Sequence, residues 1–151
     1  MLNAEWLARD LTLRFPMQKP WNLRDRTILF ATNVIRFCRR LPRTSEAAEI
    51  ATQLRRSAAS TGANYWASSR GRSIAEFISK IGTAIEEADE SIFWFTLLVT
   101  TEITTEAGVQ ELRGEANEIV AILTASQKTA KRRRDERKKA LQAKRKASRT
   151  P

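Results

Sequence analysis

The residues with the clearest chemical potential are the basic ones near the C-terminus. Between 128 and 151 the chain has twelve lysines and arginines and two acidic residues, a net charge of +10 that equals the formal charge of the whole chain. Residues 1–127 have fifteen basic and fifteen acidic groups and are neutral overall. A dense basic segment binds phosphates and releases their counterions, which predicts salt-sensitive nucleic-acid binding. The candidate residues are Lys131, Arg132, Arg133, Arg134, Arg137, Lys138, Lys139, Lys144, Arg145 and Lys146.

Two other interpretations of this basic segment stay open. It is either a solvated or protein-docking tail that keeps an oligomer in solution, or a patch for an anionic membrane. The membrane interpretation is the weaker one, because Leu141 is the only large apolar residue there and one leucine makes no apolar face. No aromatic residue lies in the segment, so we expect contacts with phosphates and not stacking on bases.

The rest of the chain lacks the residue types that most catalytic sites need. There is no histidine, which is the usual general base and the commonest metal ligand. Cys38 lies on the apolar side of a predicted helix without a base, which indicates a packed thiol. The acidic run from Glu86 to Glu90 lacks the Glu-x-x-His motifs of di-iron bundles. We therefore predict no enzymatic activity, no metal site and no cofactor.

The same composition also indicates the cellular compartment of the protein. One cysteine cannot form an internal disulfide, and a reduced compartment is expected. No apolar run approaches the ~18 residues of a membrane span, and the N-terminus does not read as a signal peptide. We expect a cytoplasmic protein.

Four arginines outside the basic segment are further candidates for nucleic-acid binding. Arg55 and Arg56 lie on a predicted helix, while Arg70 and Arg72 lie in a short loop before the next helix. That loop lacks the Lys-Ser/Thr ending of a phosphate-binding loop, so it is either a polar surface turn or a simpler phosphate site. Any specific recognition by this protein would have to come from the surface of the bundle, where these four residues are the first candidates, because the basic segment supplies only charge.

Apolar residues that recur every three to four positions predict the helices that position these side chains. Pro42 ends the first helix, Thr44 or Ser45 caps the second, and Ser73 with Glu76 has the capping-box spacing at the start of the third. The predicted helices cover about 24–41, 44–67, 73–101 and 105–125. They favour an all-α, antiparallel up-and-down four-helix bundle over residues 24–127. Residues 1–23 form an N-terminal appendage in this interpretation, and 128–151 a basic tail, either a frayed continuation of the last helix or disordered.

The third helix is apolar over more of its circumference than one core-facing stripe requires. Phe93, Trp94, Leu97 and Leu98 widen its apolar face. Either the N-terminal appendage, with Trp6 and Trp21, covers this surface or another subunit does. Because large apolar patches usually mark interfaces, we predict a homo-oligomer that buries these four residues.

The segment from Gln53 to Leu98 contains a set of residues that together form a recognisable pattern. They are Gln53, Leu54, Arg56, Ser57, Ala58, Ser60, Ala63, Asn64, Tyr65, Ser73, Glu76, Phe77, Ile78, Lys80, Glu87, Glu90 and Trp94. This pattern resembles the family called four-helix bundle proteins, some of which are encoded in intervening sequences of large-subunit ribosomal RNA genes. The resemblance covers about residues 24–125. It departs from the family at 66–68, where Trp66, Ala67 and Ser68 stand in place of a usual Glu.

This resemblance implies the bundle fold and a role without catalysis. A related bundle, the accessory variability determinant of diversity-generating retroelements, is a homopentamer with a basic surface that binds a reverse transcriptase and its RNA. We therefore expect an oligomeric accessory or scaffold protein, pentameric by this resemblance, that binds RNA or DNA and assists a retroelement reverse transcriptase. The alternative is a protein interaction module whose basic tail only solubilises or docks it.

Overall fold

The computed structural model describes residues 22–147, which form four α-helices and no strand. They are α1 (Leu23–Cys38), α2 (Ser45–Ser68), α3 (Ile74–Thr100) and α4 (Glu106–Ala147). Each helix packs against its neighbours in the order α1, α2, α3, α4, and α4 closes the ring against α1. The predicted all-α four-helix fold is confirmed. Most of the N-terminal appendage, including Trp6 and Trp21, lies outside the described residues, as do residues 148–151.

Local capping determines where three helices begin. Asn22 accepts the backbone N–H of Asp25 at 2.8 Å at the start of α1, and Thr44 accepts that of Ala47 at 3.2 Å at the start of α2. Ser73 accepts the N–H of Glu76 at 3.1 Å. The other half of the predicted capping box differs, because the Glu76 carboxylate accepts from the backbone N–H of Arg72 and not of Ser73. These caps satisfy N–H groups that have no partner inside a helix.

The turn between α3 and α4 has the hydrogen bonds of a Schellman motif. The N–H of Ile103 donates to the carbonyl of Leu98 at 3.0 Å, and the N–H of Glu102 donates to that of Val99 at 2.9 Å. Glu102 has φ 58°, the left-handed conformation that usually belongs to glycine at this position. The turn sets the direction in which α4 returns along α3.

The core lies along the common axis of the four helices. Ser57 on α2 and Ser91 on α3 are both buried, and their hydroxyls hydrogen-bond to each other at 2.8 Å. The rings of Phe37 and Phe95 meet edge to face at 5.8 Å between centroids. The largest fully buried apolar side chains are Phe30, Val34, Leu54, Ile81, Phe95, Leu98, Val109, Leu112, Ile119 and Leu123.

An ion-pair cluster joins the start of α1 to the middle of α4. The Arg26 guanidinium binds both oxygens of Glu115, one of them at 2.9 Å, and also pairs with Glu118. Glu115 is only 3% exposed, and the guanidinium of Arg26 compensates the charge of this buried carboxylate. The hydrogen bond to Glu115 raises the pKa of Arg26 above its ordinary value.

Candidate nucleic-acid interface

Helix α4 continues well past the bundle. Its core-facing residues end at Ala130, and from Lys131 to Ala147 every side chain is exposed or partly exposed. We call residues 131–147 the basic extension. At 1.5 Å per residue it is about 25 Å long. The structure thus describes most of the predicted basic tail as a helix that is continuous with the bundle.

Positive charge surrounds most of the basic extension. With 100° between successive residues, its ten lysines and arginines spread over about 260° of the circumference. The remaining sector contains Glu136, Ala140, Ala143 and Ala147. Glu136 approaches Arg132 at 3.8 Å, and Asp135 accepts from Arg134 at 3.0 Å, so both acidic residues of the extension lie beside a cation of the same helix. A helix charged on so many sides fits a polyanion that wraps it or a groove that encloses it.

The loop between α2 and α3 lies at the end of the bundle where the extension leaves. Gln127 of α4 donates to the carbonyl of Ile78 of α3 at 3.1 Å, which sets the register of the two helices. One turn further, Ile74 and Phe77 of α3 and Arg133 of α4 line a single groove with a volume of about 500 Å³. The structure therefore brings the loop that contains Arg70 and Arg72 to the base of the extension.

Trp66 adds an aromatic ring to the same end of the bundle. The guanidinium carbon of Arg24 lies 3.8 Å from the centre of the indole ring, and that of Arg70 lies 5.7 Å away. Neither Arg24 nor Trp66 is among the functional candidates predicted from the sequence. Trp66 lies in the last turn of α2 and Arg70 follows four residues later in the adjoining turn, a spacing that does indicate neighbours. Nothing in the sequence links either residue to Arg24 on another helix.

The structure does not bring Arg55 and Arg56 into this cluster. Arg55 lines a cavity of about 460 Å³ beneath the turn between α1 and α2, at the opposite end of the bundle, and donates to Thr52 at 3.1 Å. Arg56 is exposed near Glu87. Burial, and then the nearby charge of Glu90, raise the pKa of Glu87, while Arg56 acts to lower it. Arg56 thus has a local acidic neighbour, and both residues lie away from the extension.

The apolar residues predicted to form an oligomer interface divide into two groups. Phe93 is 56% exposed and meets the partly buried Trp94 edge to face at 4.9 Å, and the indole N–H of Trp94 donates to Glu90 at 2.9 Å. Leu97 is half-buried against the core. The prediction is wrong for Leu98, which is fully buried within the chain because it lies three residues after Phe95 on the same core-facing side. The accessible patch therefore consists of Phe93, Trp94 and Leu97.

Groups that could support catalysis are scarce in the described residues. Cys38 is buried, and burial raises the pKa of its thiol to about 11, so the reactive thiolate is disfavoured near neutral pH. Within residues 22–147, no group of three or more Cys, Asp and Glu side chains is placed to hold a metal ion. No helix in that range is long and apolar enough to cross a membrane.

A known protein family matches the part of the chain that forms most of the bundle. The family model of the 23S rRNA-intervening sequence protein matches residues 21–125. The chain belongs to this family. The match ends before the last core contact of α4, so the basic extension lies outside the part of the chain that defines the family.

One solved structure is similar to this family member over most of its described length. It is the crystal structure, at 1.70 Å resolution, of a protein with unknown function from the S23 ribosomal protein family of Bacteroides thetaiotaomicron VPI-5482. The two chains are 28% identical with a TM-score of 0.67, and the match covers 71% of this chain and 99% of the other. No curated protein matches the chain.

Proposed function

We propose that this protein is an oligomeric helical bundle without catalytic activity that binds RNA or DNA and acts as a scaffold in a ribonucleoprotein. The observation that carries the proposal is the change within α4 at Ala130. Before it, the helix is buried against α1 and α3; after it, the same helix projects about 25 Å into solvent and contains ten basic residues. Packing does not require those charges, which fits a role in binding phosphates.

The cluster at the base of the extension supports the same proposal. Arg70 and Arg72 lie in the adjacent loop, and Arg133 lines the groove beside Ile74 and Phe77. A nucleic acid bound along the extension could also contact this end of the bundle. The rest of the bundle is close to neutral, so the electrostatic attraction is directed to one end of the molecule.

Exposed apolar surface supports the oligomeric part of the proposal. Phe93, Trp94 and Leu97 form a patch on α3, away from the basic end. Aromatic residues in such patches commonly anchor protein interfaces. Subunits joined there would present several basic extensions to one nucleic acid and raise the overall affinity by multivalency.

Family membership and the resemblance suggest two contexts. The description of the family refers to 23S rRNA-intervening sequences. Ribosomal RNA is therefore one candidate ligand. The resemblance to accessory proteins of retroelements makes a reverse transcriptase complex the other. A reverse transcriptase gene beside the gene for this protein would favour the second, and a ribosomal RNA intervening sequence around it the first.

The direct test compares the whole chain with a chain that ends at Ala130, which keeps every core residue of α4. Binding to a labelled RNA of mixed sequence is measured by gel shift at rising salt. The proposal predicts that truncation weakens binding strongly at low salt and flattens its salt dependence. Equal affinities of the two chains at every salt concentration would remove the extension from the mechanism.

The exposed patch also favours a second candidate function, a protein interaction module in which the extension is passive. In that case the truncated chain binds its partner like the whole chain, and neither binds RNA above background. Light scattering adds a separate criterion, because a monomer at micromolar concentration would contradict the oligomeric scaffold.

A further inference from the structure

The contact between Arg24 and Trp66 has no evident role in the core, and we propose that it forms a binding site for an unpaired nucleobase of single-stranded RNA or DNA. This inference rests on the proposed function and deepens it. The basic extension has no aromatic residue and so offers only charge. The Arg24 and Trp66 pair would supply the contact with bases that the extension lacks.

The geometry matches the way in which proteins hold unpaired bases. The guanidinium carbon of Arg24 lies directly over the indole ring at 3.8 Å, which is contact distance. Trp66 is partly buried, whereas Arg24 is exposed. Unpaired bases stack on aromatic rings and on the planes of arginine guanidinium groups. A base that stacks on the outer side of Arg24 would complete a column of indole, guanidinium and base.

The backbones of both members of the pair lie where α1 and α2 pack together. Arg24 lies in the first turn of α1, where Asn22 caps the helix and Thr27, three residues later, is buried. Trp66 lies in the last turns of α2, one turn after Gly62, where an added Cβ atom would already lie 3.5 Å from Thr27. The contact between α1 and α2 thus fixes the backbones that present the pair, which lowers the cost of forming the site when a ligand binds.

Charge around the ring favours an anionic ligand. Arg70 is also exposed, and its guanidinium carbon lies 5.7 Å from the same ring centre. Within residues 22–147 neither Arg24 nor Arg70 forms an ion pair with an acidic side chain. Two guanidinium groups that share one ring repel each other, and a phosphate would relieve that repulsion. A nucleotide offers both parts, a base for the stack and a phosphate for the two cations.

The site lies at the same end of the bundle as the base of the extension. Arg70 belongs to the turn that leads into α3, and the first turn of α3 shares a groove with Arg133 at the base of the extension. A duplex presents its phosphates to the extension but keeps its bases stacked and paired. The arrangement therefore predicts a preference for single strands over duplexes.

The test uses the full chain and labelled oligouridylate of about 12 nucleotides, within the size range of one single-strand site. Its affinity is compared with that of an RNA duplex of the same length, and oligodeoxythymidylate serves as the DNA probe. Arg24→Lys keeps the charge but removes the planar group, while Arg36→Lys makes the same change at an exposed site elsewhere on α1. We expect Arg24→Lys to weaken binding of both single strands about tenfold and to leave duplex binding unchanged. Arg36→Lys should change neither.

Two results would overturn the site. One is an unchanged ratio of single-strand to duplex affinity in Arg24→Lys; the other is the absence of any single-strand preference in the unaltered protein. In both cases salt-dependent binding that requires the extension can persist, so the proposed function would survive. If no nucleic acid binds at all, both proposals fail together.

Discussion

The two parts of α4, residues 106–130 and residues 131–147, belong to one helix but are held by different forces. The first part buries Val109, Leu112, Ile119 and Leu123 against the other helices and pairs Glu115 with Arg26. The second part has no buried residue, so packing of a buried apolar face does not stabilise it. The difference separates the two tasks of the helix. Packing fixes the first part in the bundle, and the second part is free to present charge to a ligand.

The largest difference in stability between the two parts of α4 is expected when one leucine is substituted on each side of Ala130. Leu123→Ala removes a fully buried side chain, and we expect it to lower the free energy of unfolding by about 3 kcal/mol. Leu141→Ala removes a leucine that is 52% exposed, and we expect a change within about 0.5 kcal/mol. Denaturant unfolding followed by circular dichroism measures both. A comparable loss at Leu141 would show that the extension packs against something.

The ion-pair cluster provides the next largest effect. Arg26→Ala removes the guanidinium that pairs with the buried Glu115, and we expect a loss of about 2 kcal/mol in the free energy of unfolding, below the range for fully buried pairs because Glu118 is exposed. Arg132→Ala breaks the exposed contact with Glu136 in the extension, where the loss should be below about 0.5 kcal/mol. Equal losses would contradict the division of α4 into a packed and a solvated part.

A smaller effect of opposite sign is expected at the turn that starts α4. Glu102 has the left-handed conformation, so Glu102→Gly should raise the free energy of unfolding by about 1 kcal/mol. Glu111→Gly, at an exposed position inside α4, should lower it by about 1 kcal/mol. Thermal unfolding of the two variants distinguishes these signs. Destabilisation by both would mean that the conformation at Glu102 is not strained.

The sequence predicted the helices well because their signals are local. Thr44 and Ser73 cap the helices that their positions indicate, and the apolar stripe of α4 ends near the start of the basic run. The error at Leu98 arose because neighbouring apolar residues on a wide face look alike, and only the direction of the core decides which is buried.

Contacts between distant residues could not be predicted in this way. Arg26 and Glu115 are 89 positions apart, and no periodicity relates them. Arg24 and Trp66 meet only because α1 and α2 pack side by side. The same packing explains why Arg70 joins the basic end of the bundle while Arg55 lies at the other end. A charge in the sequence indicates what it can bind, but the fold decides which charges act together.

The most direct test of the account is the salt dependence of RNA binding in two charge-matched variants of the full chain. One variant changes Arg132, Arg137 and Lys138 in the extension to glutamine. The other makes the same change at three exposed arginines toward the opposite end of the bundle, Arg36, Arg39 and Arg43. Both lose three positive charges. The account predicts that the extension variant reduces the slope of log affinity against log salt by about 2, while the bundle variant leaves it nearly unchanged. Equal reductions in the two variants would contradict the claim that the extension is the phosphate-binding element.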